Sequence, residues 1–327
     1  MIDYFKEDYF WMLREGKGYF PWLSGDTYKI SRYLRLNEKR KCMCRHDDYP
    51  TREVVRTLVE ENVCENPLFD LILKSLLRAE IRFISRFVPQ RSHEERLTGN
   101  LVSEIDSALF LIKTAFRETS YKLYSQEKEV DFFYYDLSRG GKIEKITGAD
   151  LGFILVIDLP DFPYTVKTFI LQAKKILNGS SQIDLNQYKT LNKYEKGESG
   201  YLFYDMDLDR QCSPLIVPFH KYNLHNRYEE CVKANNNSFT YSFDGAKSDG
   251  HPLSLFLISQ LAFDSSVGKN HRSFDSAFYM FEELCQSPLK ISKEQEISKF
   301  DGRLAIFSIG KNLKYSISEN RSLVIKV

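Results

Sequence analysis

Two apolar runs lying close together constrain this chain more than any other feature. Phe153, Ile154, Leu155, Val156 and Ile157 follow one another within residues 151–159. Val166, Phe169, Ile170 and Leu171 lie within residues 165–176. A strand that alternates apolar and polar residues can leave one face in water. A strand that is apolar at nearly every position needs both faces covered, as in the middle of an α/β sheet. Pro160 and Pro163 place a turn between the two runs.

Upstream, the period is helical. Phe69, Ile72, Leu73, Leu76, Leu77, Ile84 and Phe87 recur at three- and four-residue steps, predicting a helix over 66–88 that ends before Pro89. Leu97, Leu101, Ile105, Ala108, Ile112 and Phe116 share one face of a second helix over 92–120. Ser92 is its expected N-cap, with Glu95 three residues later as in a capping box. A further helix is expected over 52–63, and the aromatic, basic residues 1–50 are expected to form a cap. Downstream, the pattern predicts strands over 131–137, 201–204 and 215–219. It predicts a loop at 179–181, a helix over 182–194, helices over 253–263 and 276–285, and a terminal hairpin in the last 25 residues.

Helix, three strands, helix and strand make a mixed α/β unit. The expected organisation is a helical region over 1–90, an α/β core over 91–215, and an α+β extension over 216–327 packed on that core. A chain of 327 residues fits about two domains of ~150 residues.

Lys+Arg number 46 and Asp+Glu 45, so the net charge is 46 − 45 = +1. That balance excludes a wholly basic DNA wrapper but leaves room for a local basic cleft. The best stretch for phosphate contacts is Arg32, Arg35, Lys39, Arg40, Lys41 and Arg45, which a solvated loop explains nearly as well. Cys42, Cys44, Cys64, Cys212, Cys231 and Cys285 are scattered, which predicts free thiols and a reducing cytoplasm. Cys42-Met43-Cys44 lacks the second pair a structural zinc site needs. No apolar run approaches a membrane span of ~20 residues. The first residues, Asp3 to Asp8, are unlike a signal peptide. No Gly-rich phosphate loop is present, so nucleotide hydrolysis has no support.

The residues that carry chemistry are Asp150, at the start of one apolar run, and Gln172-Ala173-Lys174, at the end of the next. Strand alternation puts Gln172 and Lys174 on the same face. A Gln and a Lys in a core strand cost free energy unless they find partners. Converging with Asp150 on a polar cleft would give hard oxygen donors suited to Mg²⁺, with an ammonium beside them.

This spacing, on two consecutive strands, resembles the PD-(D/E)XK nuclease superfamily. The closest variant is the one with Gln in the acidic position, as in Mrr-type restriction endonucleases and nuclease domains of bacterial anti-phage systems. The resemblance spans roughly residues 92–205. It implies a restriction-endonuclease-like sheet flanked by helices, and DNA cleavage with Mg²⁺ or Mn²⁺. Asp150 and Gln172 would hold the metal and Lys174 would act on the water. A glutamate from the preceding helix would complete the site. Glu95 matches the Mrr-like helix pattern best. A helical wheel puts Glu94 on the Leu101 and Ile105 face, and Glu104 is a third candidate. Gln187 matches a glutamine in the following helix, and Lys175 is a candidate DNA contact. Family analogy also implies other subunits of a defence complex and a possible homodimer. Gln in place of an acid removes one anionic ligand, which weakens metal binding.

Plainer readings stand beside these. Asp150 suits a turn after Gly148, and Glu94 and Glu95 suit a helix's first turn. Lys174-Lys175 suits a solvated strand end, Gln187 a solvent-facing helix, and His220 and His225 a surface.

Overall fold

The computed structural model describes residues 64–90, 92–136, 150–192, 197–208, 212–219, 221–285 and 303–311. The expected aromatic cap, the helix over 52–63, the basic stretch, Cys42-Met43-Cys44, Gly148 and His220 lie outside the described residues.

Helix α1 spans Pro67–Arg86. Its proline stands in the first turn, and the Asn66 side chain accepts hydrogen bonds from the Leu68 and Phe69 amides. A short 3₁₀ turn, Val88–Gln90, leads to α2, the 31-residue helix Glu94–Tyr124. Leu97, Leu101, Ile105, Ala108, Ile112 and Phe116 of α2 are buried against α1 and the sheet, as the spacing predicts. The N-cap differs from expectation. It is His93 rather than Ser92, and its side chain makes no capping bond.

Eight strands among the described residues form one mixed sheet, ordered β1-β10-β2-β3-β5-β6-β8, with β9 also on β3. They are β1 Val130–Asp136, β2 Leu151–Ile157, β3 Thr165–Ile176, β5 Ser199–Asp205, β6 Leu215–Pro218, β8 His251–Pro252, β9 Lys269–His271 and β10 Arg303–Ile309. β2 and β3 are antiparallel, whereas β10 runs parallel to β2 and β5 parallel to β3. β4 Ser180–Asp184 and β7 Ser238–Ser242 form a separate antiparallel ribbon.

The helices cover both faces, as the near-continuous apolar strands require. Phe153, Leu155, Phe169, Leu171 and Leu202 meet α1 and α2 in one core. Ile154, Val156, Ile170, Tyr201 and Phe203 meet the opposite helices in another. Those helices are α3 Leu185–Leu191, α4 Tyr222–Lys233, α5 Phe243–Asp249 and α7 Phe274–Cys285. Between them in sequence, α6 Leu253–Leu255 runs into a buried π-helical turn, Phe256–Leu261, in the first core. The chain is α/β, with a mixed sheet flanked by helices.

Two further expectations fail. Residues 216–327 are not an extension laid on a finished core. β8, β9 and β10 belong to the sheet itself, and β10 lies between β1 and β2. The expected helix over 182–194 begins as strand β4, with only Leu185–Leu191 helical. Asn178 and Gly179 both take positive φ, 51° and 80°, the backbone of a two-residue hairpin turn. Leu177 and Ser180 exchange both main-chain hydrogen bonds across it, at 2.8 and 3.1 Å. β3 therefore turns straight back into β4. Asp184 then caps α3, accepting from the Asn186 and Gln187 amides.

Candidate active site

β3 outruns β2, and the candidate site forms where it does. The last register pair between them is Leu151 with Leu171, closed by the Asp150 amide donating to the Leu171 carbonyl at 2.9 Å. Beyond Leu171, β3 continues for five residues beside β5. On its other edge the outward amides are those of Ala173 and Lys175. Carboxylates take both. Asp150 Oδ2 accepts from the Ala173 amide at 2.8 Å, and Glu94 Oε1 from the Lys175 amide at 3.0 Å. Amides two residues apart on a strand edge stand roughly 7 Å apart. One strand edge thus gathers a turn carboxylate and a helix carboxylate that lie 56 residues apart in sequence (150 − 94).

Gln172 and Lys174 point to the other face, with Ile170 and Ile176, toward the core of α3 and α7. Gln172 is 2% exposed. Its Nε2 donates to Asp150 Oδ2 at 2.5 Å, which leaves Oε1 buried with no hydrogen-bond partner. An unsatisfied buried oxygen costs about 1–3 kcal/mol. Lys174 is half-buried next along the strand, in register with Phe203. Among the described residues its ammonium has no hydrogen-bond or ion-pair partner.

Oxygen donors of these kinds are the ones a hard divalent cation takes. Asp150 and Glu94 supply carboxylate oxygens, and Gln172 supplies a neutral oxygen that the protein itself leaves unsatisfied. Two carboxylates and an amide are a lean set. Among the described residues no group of three or more His, Cys, Asp or Glu side chains could hold a metal ion.

The three helix glutamates part company. Glu94 reaches β3. Glu95, one residue on, is exposed. Glu104 lies ten residues further along α2 than Glu94 and is held by Arg82 at 2.9 Å and Arg86 at 3.0 Å of α1. Lys175, half-buried, directs its ammonium toward the Ser92 carbonyl at 3.5 Å, on the α2 side. Gln187 is half-buried in the first turn of α3. His225 is exposed on α4, 3.7 Å from Glu229.

Sequence reasoning overlooked several residues that shape the site. Gly152 opens β2 beside Asp150, and a Cβ there would stand 2.2 Å from the Phe281 ring of α7. A lone glycine inside an apolar strand was the available signal for such close approach. Thr98 and Tyr204 fix the first turn of α2. The Thr98 hydroxyl lies 2.9 Å from both the Glu94 carbonyl and the Tyr204 hydroxyl. Tyr201 pairs in register with Gln172, and burial pushes its phenol well above the ordinary range, so it stays neutral.

Comparison of the chain with known protein families, with curated proteins and with solved structures found no match.

Proposed function

We propose that this chain is a metal-dependent nuclease of the PD-(D/E)XK type that hydrolyses DNA phosphodiester bonds. The observation carrying the reading is the β3 edge, where Asp150 binds the Gln172 side chain and the Ala173 amide, Glu94 binds the Lys175 amide, and Lys174 lies between them along the strand. The order of α2, β1, β2, β3, α3 and β5 supports a restriction-endonuclease-like core, with β4 added between β3 and α3 in sequence and β10 added between β1 and β2 in the sheet.

Asp150, Glu94 and the Gln172 oxygen would hold Mg²⁺ or Mn²⁺, with Glu95 as the second choice of helix ligand. The metal would supply Lewis-acid polarisation of a phosphoryl oxygen. Lys174 would hold the attacking water and offset the charge that develops on the phosphate. The Nε2 of Gln172 orients Asp150 while its oxygen stays without a hydrogen-bond partner. By analogy with the resembled family, the protein would act in the cytoplasm with other subunits of a defence system, as a dimer where both strands are cut.

Plasmid cleavage tests this. Asp150→Ala and Lys174→Ala should each lower Mg²⁺-dependent cutting by about 100-fold or more while the protein stays folded. Undiminished cutting by either variant overturns the assignment. Labelled RNA in the same assay separates the RNA-cleaving alternative.

One observation favours a second reading. Asp150 and Glu94 each spend an oxygen on a β3 amide, so both serve as caps of an open strand edge. A nuclease-fold module that binds nucleic acid or protein without cutting would keep them for that purpose. Calorimetry with Mg²⁺ and Mn²⁺ decides between the two, since the cap role needs no metal.

A further inference from the structure

We propose that Tyr204 and Thr98 are positioning residues that hold the Glu94 carboxylate at the β3 edge. The inference rests on the nuclease reading for its catalytic consequence and on geometry alone for the positioning.

The first turn of α2 needs an anchor. Four amides at a helix start have no partner within the helix, and the N-cap His93 offers no side-chain bond. An unanchored first turn frays. Yet this turn carries Glu94 to the Lys175 amide.

Proton bookkeeping fixes the direction of the anchor. The Thr98 hydroxyl has one proton and donates it to the Glu94 carbonyl at 2.9 Å. Its 2.9 Å contact with the Tyr204 hydroxyl must then be Tyr204 donating. A chain runs from Tyr204 to Thr98 to the main chain of Glu94. Tyr204 is the register partner of Lys175, whose amide donates to the Glu94 side chain. Glu94 is therefore tied to neighbouring positions of β3 and β5 at two points, its carbonyl and its carboxylate. Thr98 is 0% exposed and Tyr204 1%, so water does not compete for either hydroxyl. The Phe83 ring, 5.5 Å from that of Tyr204, holds the phenol in place.

Tyr204→Phe and Thr98→Val remove the anchor with little change in shape, and Thr98→Ser keeps the hydroxyl. Two readouts are measured on the full chain: amide hydrogen exchange at Lys175, and the Mg²⁺ concentration giving half-maximal plasmid cleavage. In Tyr204→Phe and Thr98→Val, Lys175 exchange should accelerate. Half-saturating Mg²⁺ should rise about tenfold, as for loss of an outer-shell partner, with the rate at saturating Mg²⁺ within about twofold of wild type. Thr98→Ser should match wild type in both. Unchanged Lys175 exchange in both anchor-less variants, with an active wild type, overturns the positioning pair and spares the nuclease reading. Accelerated exchange in a wild-type background that cuts nothing with Mg²⁺ or Mn²⁺ overturns the nuclease reading and leaves the anchor standing. Unfolding of Thr98→Val alone is controlled by Tyr204→Phe, which loses a single oxygen.

Discussion

At Gln172 the choice of an amide over a carboxylate decides how much negative charge the β3 edge holds. Its Nε2 donates to Asp150, and a glutamate there could not. Gln172→Glu would set a second acceptor against Asp150 Oδ2 in a buried place. In EDTA the variant should lose about 1–3 kcal/mol of stability in urea melts. Millimolar Mg²⁺ should restore more stability to it than to wild type, because the stability that binding adds to the folded state rises with the logarithm of affinity. Equal stability in EDTA would refute the Gln172 bond to Asp150, and no difference in the response to Mg²⁺ would refute a cation site at this edge. Asp150, Gln172 and Lys174 were legible because strand alternation and the cost of buried polar groups single them out. Which glutamate reaches β3 was not legible. Glu94 and Glu95 are adjacent, and tertiary docking of the α2 first turn on β3 separates them. Gly152 tests the packing of α7 on the other face. Gly152→Ala forces the Phe281 ring away and should cost about 1–3 kcal/mol. A stability change below 0.5 kcal/mol would show that α7 yields freely there.

At the scale of elements, legibility followed the strength of the periodic signal. β3 ends where the apolar run ends, and α1 and α2 follow their stripes. β4 was missed because five residues of strand join a seven-residue helix at Asp184, and their combined pattern imitates one longer helix. The missed signal is Asn178-Gly179, whose paired positive φ values belong to a hairpin turn. Gly179, with φ of 80°, is the residue to change. Gly179→Ala should cost about 1–2 kcal/mol, the price of a left-handed side-chain residue. Because the turn joining β3 to β4 begins only four residues beyond Lys174 (178 − 174), the same variant should slow plasmid cleavage if the nuclease reading holds. Stability equal to wild type in urea melts would contradict the left-handed turn. β10 escaped notice for a different reason. A strand arriving from the far end of the chain to pair between β1 and β2 leaves no local trace.

Among the described residues, buried polar contacts join parts of the chain far apart in sequence, and one of them titrates. Glu80 of α1 accepts from the Ser254 amide at 2.9 Å and the Ser254 hydroxyl at 2.7 Å, 174 residues away. Burial pushes the Glu80 carboxyl up from 4.5 to about 7, and the hydrogen bonds from Ser254 and Leu253 oppose the rise only in part. A carboxyl whose folded pKa is raised binds its proton more tightly folded than unfolded. Its contribution therefore favours folding most below pH 4.5 and declines as pH rises toward 7. Above 7 it stays at its lowest value. The span from 4.5 to about 7 corresponds to a loss on the order of 3 kcal/mol. Glu80→Gln keeps an acceptor for the Ser254 amide and can donate to the Ser254 hydroxyl, but it does not titrate. Urea denaturation at pH 5 and pH 8 measures the difference. Wild type should lose more stability than Glu80→Gln between the two pH values, and Glu80→Gln should be the more stable protein at pH 8. An identical pH dependence in both would mean that Glu80 is already ionised at little cost. The contact between α1 and the start of α6 would then be an ordinary carboxylate cap, holding the two together without any dependence on pH.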